Sequence, residues 1–314
     1  KKSSIMSFFK SLTSPCEVDI QIKESTEVKQ EKNVHIKEPK EKSGEEEKIE
    51  ILPVYTNTET IEGTITLTPL KQFSYKAIKV ALIGELNEYY EGKQTLEFVN
   101  SSNTLAGVGK MTDVTTFEFS FKNIVKKYES YRGNNFDIRY SIRVTICRSL
   151  LNMNEDKEFW VRKVVHHPQI EDKGMSIKVG LPNIVLLKMT YFKMIHDCYK
   201  GFIEGCLRFE FVNVRIDRAV ITLKRREISK NPDYPFSHDE VLFQYEIIDG
   251  TPYAEEEIPL RIYFDAIPSW KLMPTEETIE DCYGVTYHVH LALWDIKKTR
   301  YFKQRELKLI RELP

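Results

Sequence analysis

The chain has 314 residues, a length that accommodates two domains at roughly 150 residues each. Its 46 Lys and Arg nearly cancel its 47 Asp and Glu. That balance excludes a whole-chain nucleic-acid binder, which needs a clear basic excess, and a hydrophobic fraction of 41% excludes disorder throughout.

Residues 1–15 read as an N-terminal extension. The apolar run Ile5-Met6-Ser7-Phe8-Phe9 stops at Lys10, too soon for a secretory leader. No run anywhere approaches the ~18 apolar residues of a membrane helix. The segment 23–50 holds 7 Lys and 9 Glu in 28 positions, with Pro39 and Ser43-Gly44 and few large apolar residues. It is expected to be a disordered insertion, because it buries too little surface to offset its ordering entropy.

Beyond it, period-two alternation dominates. Ile61, Gly63, Ile65 and Leu67 alternate with polar neighbours, as do Ile78, Val80 and Leu82, and Phe117, Phe119 and Phe121. The cleanest run sets Ile138, Tyr140, Ile142, Val144 and Ile146 against Arg139, Ser141, Arg143 and Thr145. One apolar and one wet face is the pattern of an antiparallel sheet over a core. His166 to Gly174 is polar, contains Pro and Gly, and suits a linker.

The second half repeats the habit. Leu207, Phe209 and Phe211 alternate, and Val212, Val214 and Ile216 continue on the opposite parity, which predicts a bulge or kink near Phe211-Val212. Val220–Leu223, Val241–Tyr245 and Leu260–Phe264 are further strand candidates, and Val285, Tyr287, Val289, Leu291 and Leu293 form the longest apolar face. No helical pattern of 12 residues competes. The expected fold is all-β, two sandwiches in tandem.

Catalytic motifs are sparse. Gly107-Val108-Gly109-Lys110 lacks both the first glycine and the Ser or Thr of a phosphate loop, and reads as a turn. His288 and His290 share one strand face near Cys282, but no further ligands stand at a recognisable spacing, so a zinc site is disfavoured. The five cysteines, at 16, 147, 198, 206 and 282, form no disulfide framework and read as reduced, packed residues of a cytosolic protein. The basic cluster from Lys297 to Arg311 reads as a solvated strand face, with lipid contact the less favoured alternative. No cofactor is called for, and the pattern is that of a binding module.

Longer motifs go further. Tyr128-Glu129-Ser130-Tyr131-Arg132-Gly133, followed by Phe136 to Val144, resembles the closing hairpin of an arrestin-type N-terminal domain. Met6-Ser7-Phe8-Phe9 leading to Cys16-Glu17-Val18-Asp19-Ile20, then Tyr245 to Pro252, Ile258-Pro259-Leu260-Arg261 and Tyr301-Phe302-Lys303-Gln304-Arg305-Glu306, resemble the vacuolar protein sorting 26 family, the arrestin-like subunit of retromer. The resemblance runs from Met6 to Leu313, apart from the charged insertion. It implies arrestin-like β-sandwiches at 16–165 and 176–314, joined by a linker at 166–175, and no enzymatic activity.

It further implies a complex with an α-solenoid subunit and a metallophosphatase-like subunit, recruited with a sorting nexin to retrieve transmembrane cargo from endosomes. On that resemblance Ile247, Ile248, Asp249 and Gly250 match the family's solenoid-binding loop. Two adjacent large apolar residues on an extended segment point to opposite faces, so one anchors in the core and the other faces a partner. Ile177, Val179 and Phe302 match the strand and pocket that take cargo tails by β-augmentation. Membrane contact is then indirect or weak, and no nucleic acid is involved. The alternative is an adaptor of a related, retriever-type complex, against which the Tyr301-Phe302-Lys303-Gln304 stretch weighs.

Overall fold

The computed structural model describes residues 15–28, 31–37, 49–89, 94–164 and 174–312. The chain divides into two compact units. One holds the residues up to Ser130 with Phe136–Arg162; the other holds Tyr131–Asn135 with the chain from Lys163 onward.

The first half runs through β1 (Cys16–Ile22), β2 (Asn33–Lys37), β3 (Ile49–Thr56), β4 (Ile61–Pro69), β5 (Phe73–Tyr75) and β6 (Ala77–Glu88). It continues through β7 (Gln94–Ala106), β8 (Gly109–Met111), β9 (Thr115–Phe121), β10 (Tyr131–Arg132), β11 (Phe136–Cys147) and β12 (Met153–Arg162). One sheet has the order β1-β4-β9 and the larger one β2-β3-β12-β11-β6-β7, with β5 and β8 as a separate ribbon. The core follows from the alternation. On β11, Phe136, Ile138, Tyr140, Ile142, Val144 and Ile146 are all buried, while Arg139, Ser141, Arg143 and Thr145 retain exposure. Each such buried side chain stabilises the fold by about 1.5–3 kcal/mol. On the wet face Arg143 meets Glu85 at 3.0 Å and Asp156 at 2.8 Å.

The second half comprises β13 (Met175–Leu181), β14 (Val185–Tyr191), β15 (Ile195–Asp197), β16 (Phe202–Val212) and β17 (Ile216–Ser229). After these come β18 (Phe236–Asp249), β19 (Glu257–Tyr263), β20 (Glu276–Ile279), β21 (Tyr283–Asp295) and β22 (Arg300–Ile310). They form a sheet β13-β14-β16-β19 and a sheet β15-β22-β21-β17-β18, with β20 against β21. The only helical turns among the described residues are two short 3-10 segments, Phe264–Ala266 and Ser269–Lys271. The architecture is the all-β, arrestin-like one expected.

Buried charge is satisfied locally. In the first unit Lys126 is fully buried and donates from Nζ to the Glu59 carbonyl at 2.6 Å. Burial pulls its ammonium down to about 8, although Glu59 and Glu27 oppose this. The Glu59 carboxylate accepts from the Ser25 hydroxyl and the Thr26 N–H, both at 2.7 Å. In the second unit Arg225 is paired with Glu240, which Lys271 also reaches at 2.7 Å. Burial opposes ionisation of Glu240, yet these two cations hold its carboxyl below the usual range.

Three expectations need revision or limits. Disorder across 23–50 does not hold for its middle: Asn33–Lys37 forms β2 against β3, with Val34 and Ile36 buried. The physical reason is a short apolar alternation around His35, submerged in the charge count of the segment; residues 38–48 lie outside the described residues. Most of the linker expected at 166–175, residues 166–173, lies outside them too, as do 1–14. The parity switch after Phe211 has two causes: the bulge falls at Glu210, opposite Leu186/Leu187, and β16 then ends at Val212 before β17 begins at Ile216.

Candidate partner-binding surfaces

β18 is an edge strand of its sheet, paired only with β17 among the described residues. Ala219 faces Ile248 while Val220 faces Glu246, so Ile247 is the extra residue of a β-bulge. A bulge breaks the alternation of side-chain faces. Ile247 and Ile248 therefore do not divide cleanly into one core and one surface residue, as plain extended geometry predicts; both are half-buried.

The strand then stops sharply. Gly250 has φ +112, a region that favours glycine, and its N–H donates to the Asp217 carbonyl at 2.9 Å. The Thr251 hydroxyl accepts from the Ile216 N–H at 3.0 Å and donates to the Ile216 carbonyl at 3.1 Å. These bonds fix the four residues Ile247–Gly250 against the start of β17, with Asp249 exposed.

β13 is the second edge. It pairs with β14 from Met175 opposite Tyr191 to Leu181 opposite Val185, and among the described residues no strand covers its other side. Ile177 and Val179 are only 2% and 1% exposed, so their side chains belong to the core. What β13 offers outward is backbone, together with Lys178, which pairs with Glu210 at 2.6 Å. β13 also runs beside β22, the strand that carries Phe302. Phe302 is 60% exposed; its ring stacks on His290 at 5.6 Å and lies under the Arg300 guanidinium at 4.8 Å.

His288 and His290 do share a face, but it is not a wet one. Both are buried; Thr286 Oγ1 lies 3.0 Å from His288 Nε2, and Arg300 3.1 Å from His290 Nε2. Burial lowers both pKa values, helped by Arg226 at His288 and by Lys224 at His290. Among the described residues no group of three or more His, Cys, Asp or Glu is arranged to hold a metal. Gly107 lies in the turn between β7 and β8. The C-terminal basic residues are not all solvated: Arg311 is buried and donates to the Leu272 carbonyl at 3.1 Å.

Sequence reading missed one constellation. Arg218, Trp294 and Arg300 stand directly opposite one another on β17, β21 and β22. They are distant along the chain and belong to no motif, so only strand register brings them together.

A model of the family "Vacuolar protein sorting-associated protein 26" matches residues 12–298. The chain belongs to that family. Vacuolar protein sorting-associated protein 26 of Schizosaccharomyces pombe is 31% identical over 261 residues, covering 82% of this chain and 86% of that protein. The 26B protein of Mus musculus is 30% identical over 278 residues, covering 88% and 80%. The Dictyostelium discoideum relative is 29% identical over 311 residues, covering 98% and 85%. Membership of the vacuolar protein sorting 26 family makes this a retromer subunit acting in protein sorting. The family is one of trafficking adaptors and not of enzymes. It works on the cytosolic side of endosomes. No helix among the described residues is long and apolar enough to cross a membrane.

Proposed function

We propose that the chain is the adaptor subunit that links retromer's α-solenoid to transmembrane cargo, with a sorting nexin completing the cargo site. The carrying observation is the bulged end of β18, where Ile247 and Ile248 are half-buried and pinned by the bonds of Gly250 and Thr251. Pinning lowers the entropy lost on binding, which is how a short loop becomes a hot spot. Cargo tails add to the open edge of β13 by backbone pairing, and Phe302 supplies apolar surface for one tail side chain.

Ile177 and Val179 contribute by holding β13 flat against the core rather than by touching cargo. The experiment is capture of the purified chain by the retromer solenoid and, separately, by a retriever-type solenoid. Retention on the first alone supports this reading, and retention on the second alone replaces it.

A further inference from the structure

The second unit carries an arginine–tryptophan–arginine row on the sheet face that contains Phe302. The Arg218 guanidinium lies 4.8 Å from the Trp294 ring centre, and that of Arg300 lies 5.4 Å from it. Arg300 is also held over Phe302 at 4.8 Å and by His290 Nε2 at 3.1 Å. Both arginines are exposed, and among the described residues neither has a carboxylate partner. That sets them apart from Arg208, Arg225, Arg226 and Arg261 of the same unit, each of which is paired with a carboxylate.

Stacking on an indole restricts a long side chain while leaving the guanidinium N–H edges outward. Two such forks, pre-oriented and without a carboxylate partner among the described residues, form a site for carboxylates, Arg300 keeping one N–H on His290. Trp and Arg are also the residues most enriched among binding hot spots.

The row is continuous with the Ile247–Gly250 loop. Asp249 faces Arg218 across the β17–β18 ladder without forming an ion pair, and Asp217, beside Arg218, accepts the Gly250 N–H at 2.9 Å and pairs with Lys298 at 2.8 Å. A partner seated on Ile247 to Gly250 is therefore adjacent to Arg218.

We propose that this row is a second, electrostatic half of the solenoid-binding surface, taking an acidic segment of the solenoid subunit between Arg218 and Arg300 with an apolar side chain against Trp294. The proposal rests on the adaptor reading. Charge complementarity favours an acidic polypeptide, since the two arginines bring positive charge and neither is ion-paired among the described residues.

The test is titration of the solenoid subunit into the wild type and the double variant Arg218→Gln/Arg300→Gln, over a range of salt concentrations. Loss of two well-placed charge pairs is expected to weaken binding roughly tenfold to a hundredfold and to flatten its salt dependence. Arg218→Lys/Arg300→Lys keeps the charge, loses the fork and is expected to fall between the two. Both positions are exposed, so an unchanged melting temperature verifies folding.

Affinity and salt dependence within twofold of wild type would overturn the proposal while leaving the adaptor reading intact. Unchanged solenoid binding, with loss of binding to phosphatidylserine vesicles, would overturn it in favour of a membrane surface. No binding by the wild type would refute the adaptor reading itself.

Discussion

Tyr131 donates its hydroxyl to Glu227 at 2.5 Å, and the same carboxylate accepts the N–H groups of Asn134 and Asn135, both at 3.0 Å. The Asn135 side chain adds a fourth donor at 2.6 Å. Tyr131 and Glu227 are both buried, and burial pushes the Tyr131 phenol well above its ordinary pKa. One carboxylate thus gathers donors from both ends of the tight turn Tyr131–Asn135 within the second unit. Glu227→Ala leaves the buried Tyr131 hydroxyl without its acceptor, while the Asn134 and Asn135 donors can turn to water, and is expected to cost about 1–3 kcal/mol. Urea unfolding measures it, and a loss below about 1 kcal/mol would contradict the assignment.

Lys126 gives a pH dependence with a definite sign. The unfolded chain holds this proton to about 10.5, whereas the folded chain releases it near 8. Between those values the unfolded state binds more protons, so this group's contribution to stability rises with pH. Below pH 8 the full cost of burying the ammonium is present. Cys16, which burial raises to about 11, acts in the opposite direction above pH 9. The comparison with Lys126→Met isolates the lysine. The stability of wild type minus variant is expected to grow from pH 8 to 10.5, and a constant difference would contradict this.

Phe302 separates binding from stability. Its ring is mostly solvated, resting on His290 and Arg300 rather than in a core. Phe302→Ala is expected to shift stability by no more than about 0.5 kcal/mol. It should also weaken capture of a cargo-tail peptide, in the presence of a sorting nexin, roughly tenfold. Val179→Ala, in contrast, is expected to cost about 1–3 kcal/mol by opening a cavity. Equal effects of the two substitutions on peptide capture in folded protein would contradict the distinction drawn between pocket and core.

Much of the fold was legible because sheet burial writes itself into period two. Ile138 to Ile146 alternate in sequence and alternate in burial. The apolar alternation from Val285 to Leu293 located β21, and the candidate runs Val220–Leu223 and Val241–Tyr245 fell within β17 and β18, although none of these gave the strand ends. β2 escaped because two buried residues, Val34 and Ile36, sit among lysines and glutamates whose charge dominates any count over that segment. The site was less legible. A bulge at Ile247 depends on the register between two strands, and no local pattern announces it. Ile177 and Val179 are buried because burial alternates along β13, whatever its edge binds. The Arg218–Trp294–Arg300 row exists only once three strands are aligned.

The proposed engagement of the α-solenoid runs through the bulged end of β18. Calorimetric titration of the solenoid subunit into the wild type and into Ile247→Asp/Ile248→Asn tests it directly. Two charged or polar groups placed on half-buried contact positions are expected to abolish measurable binding, while the sheet core around Ala219 and Ile221 keeps the unit folded. Binding by a folded double variant with the affinity of the wild type would contradict the account.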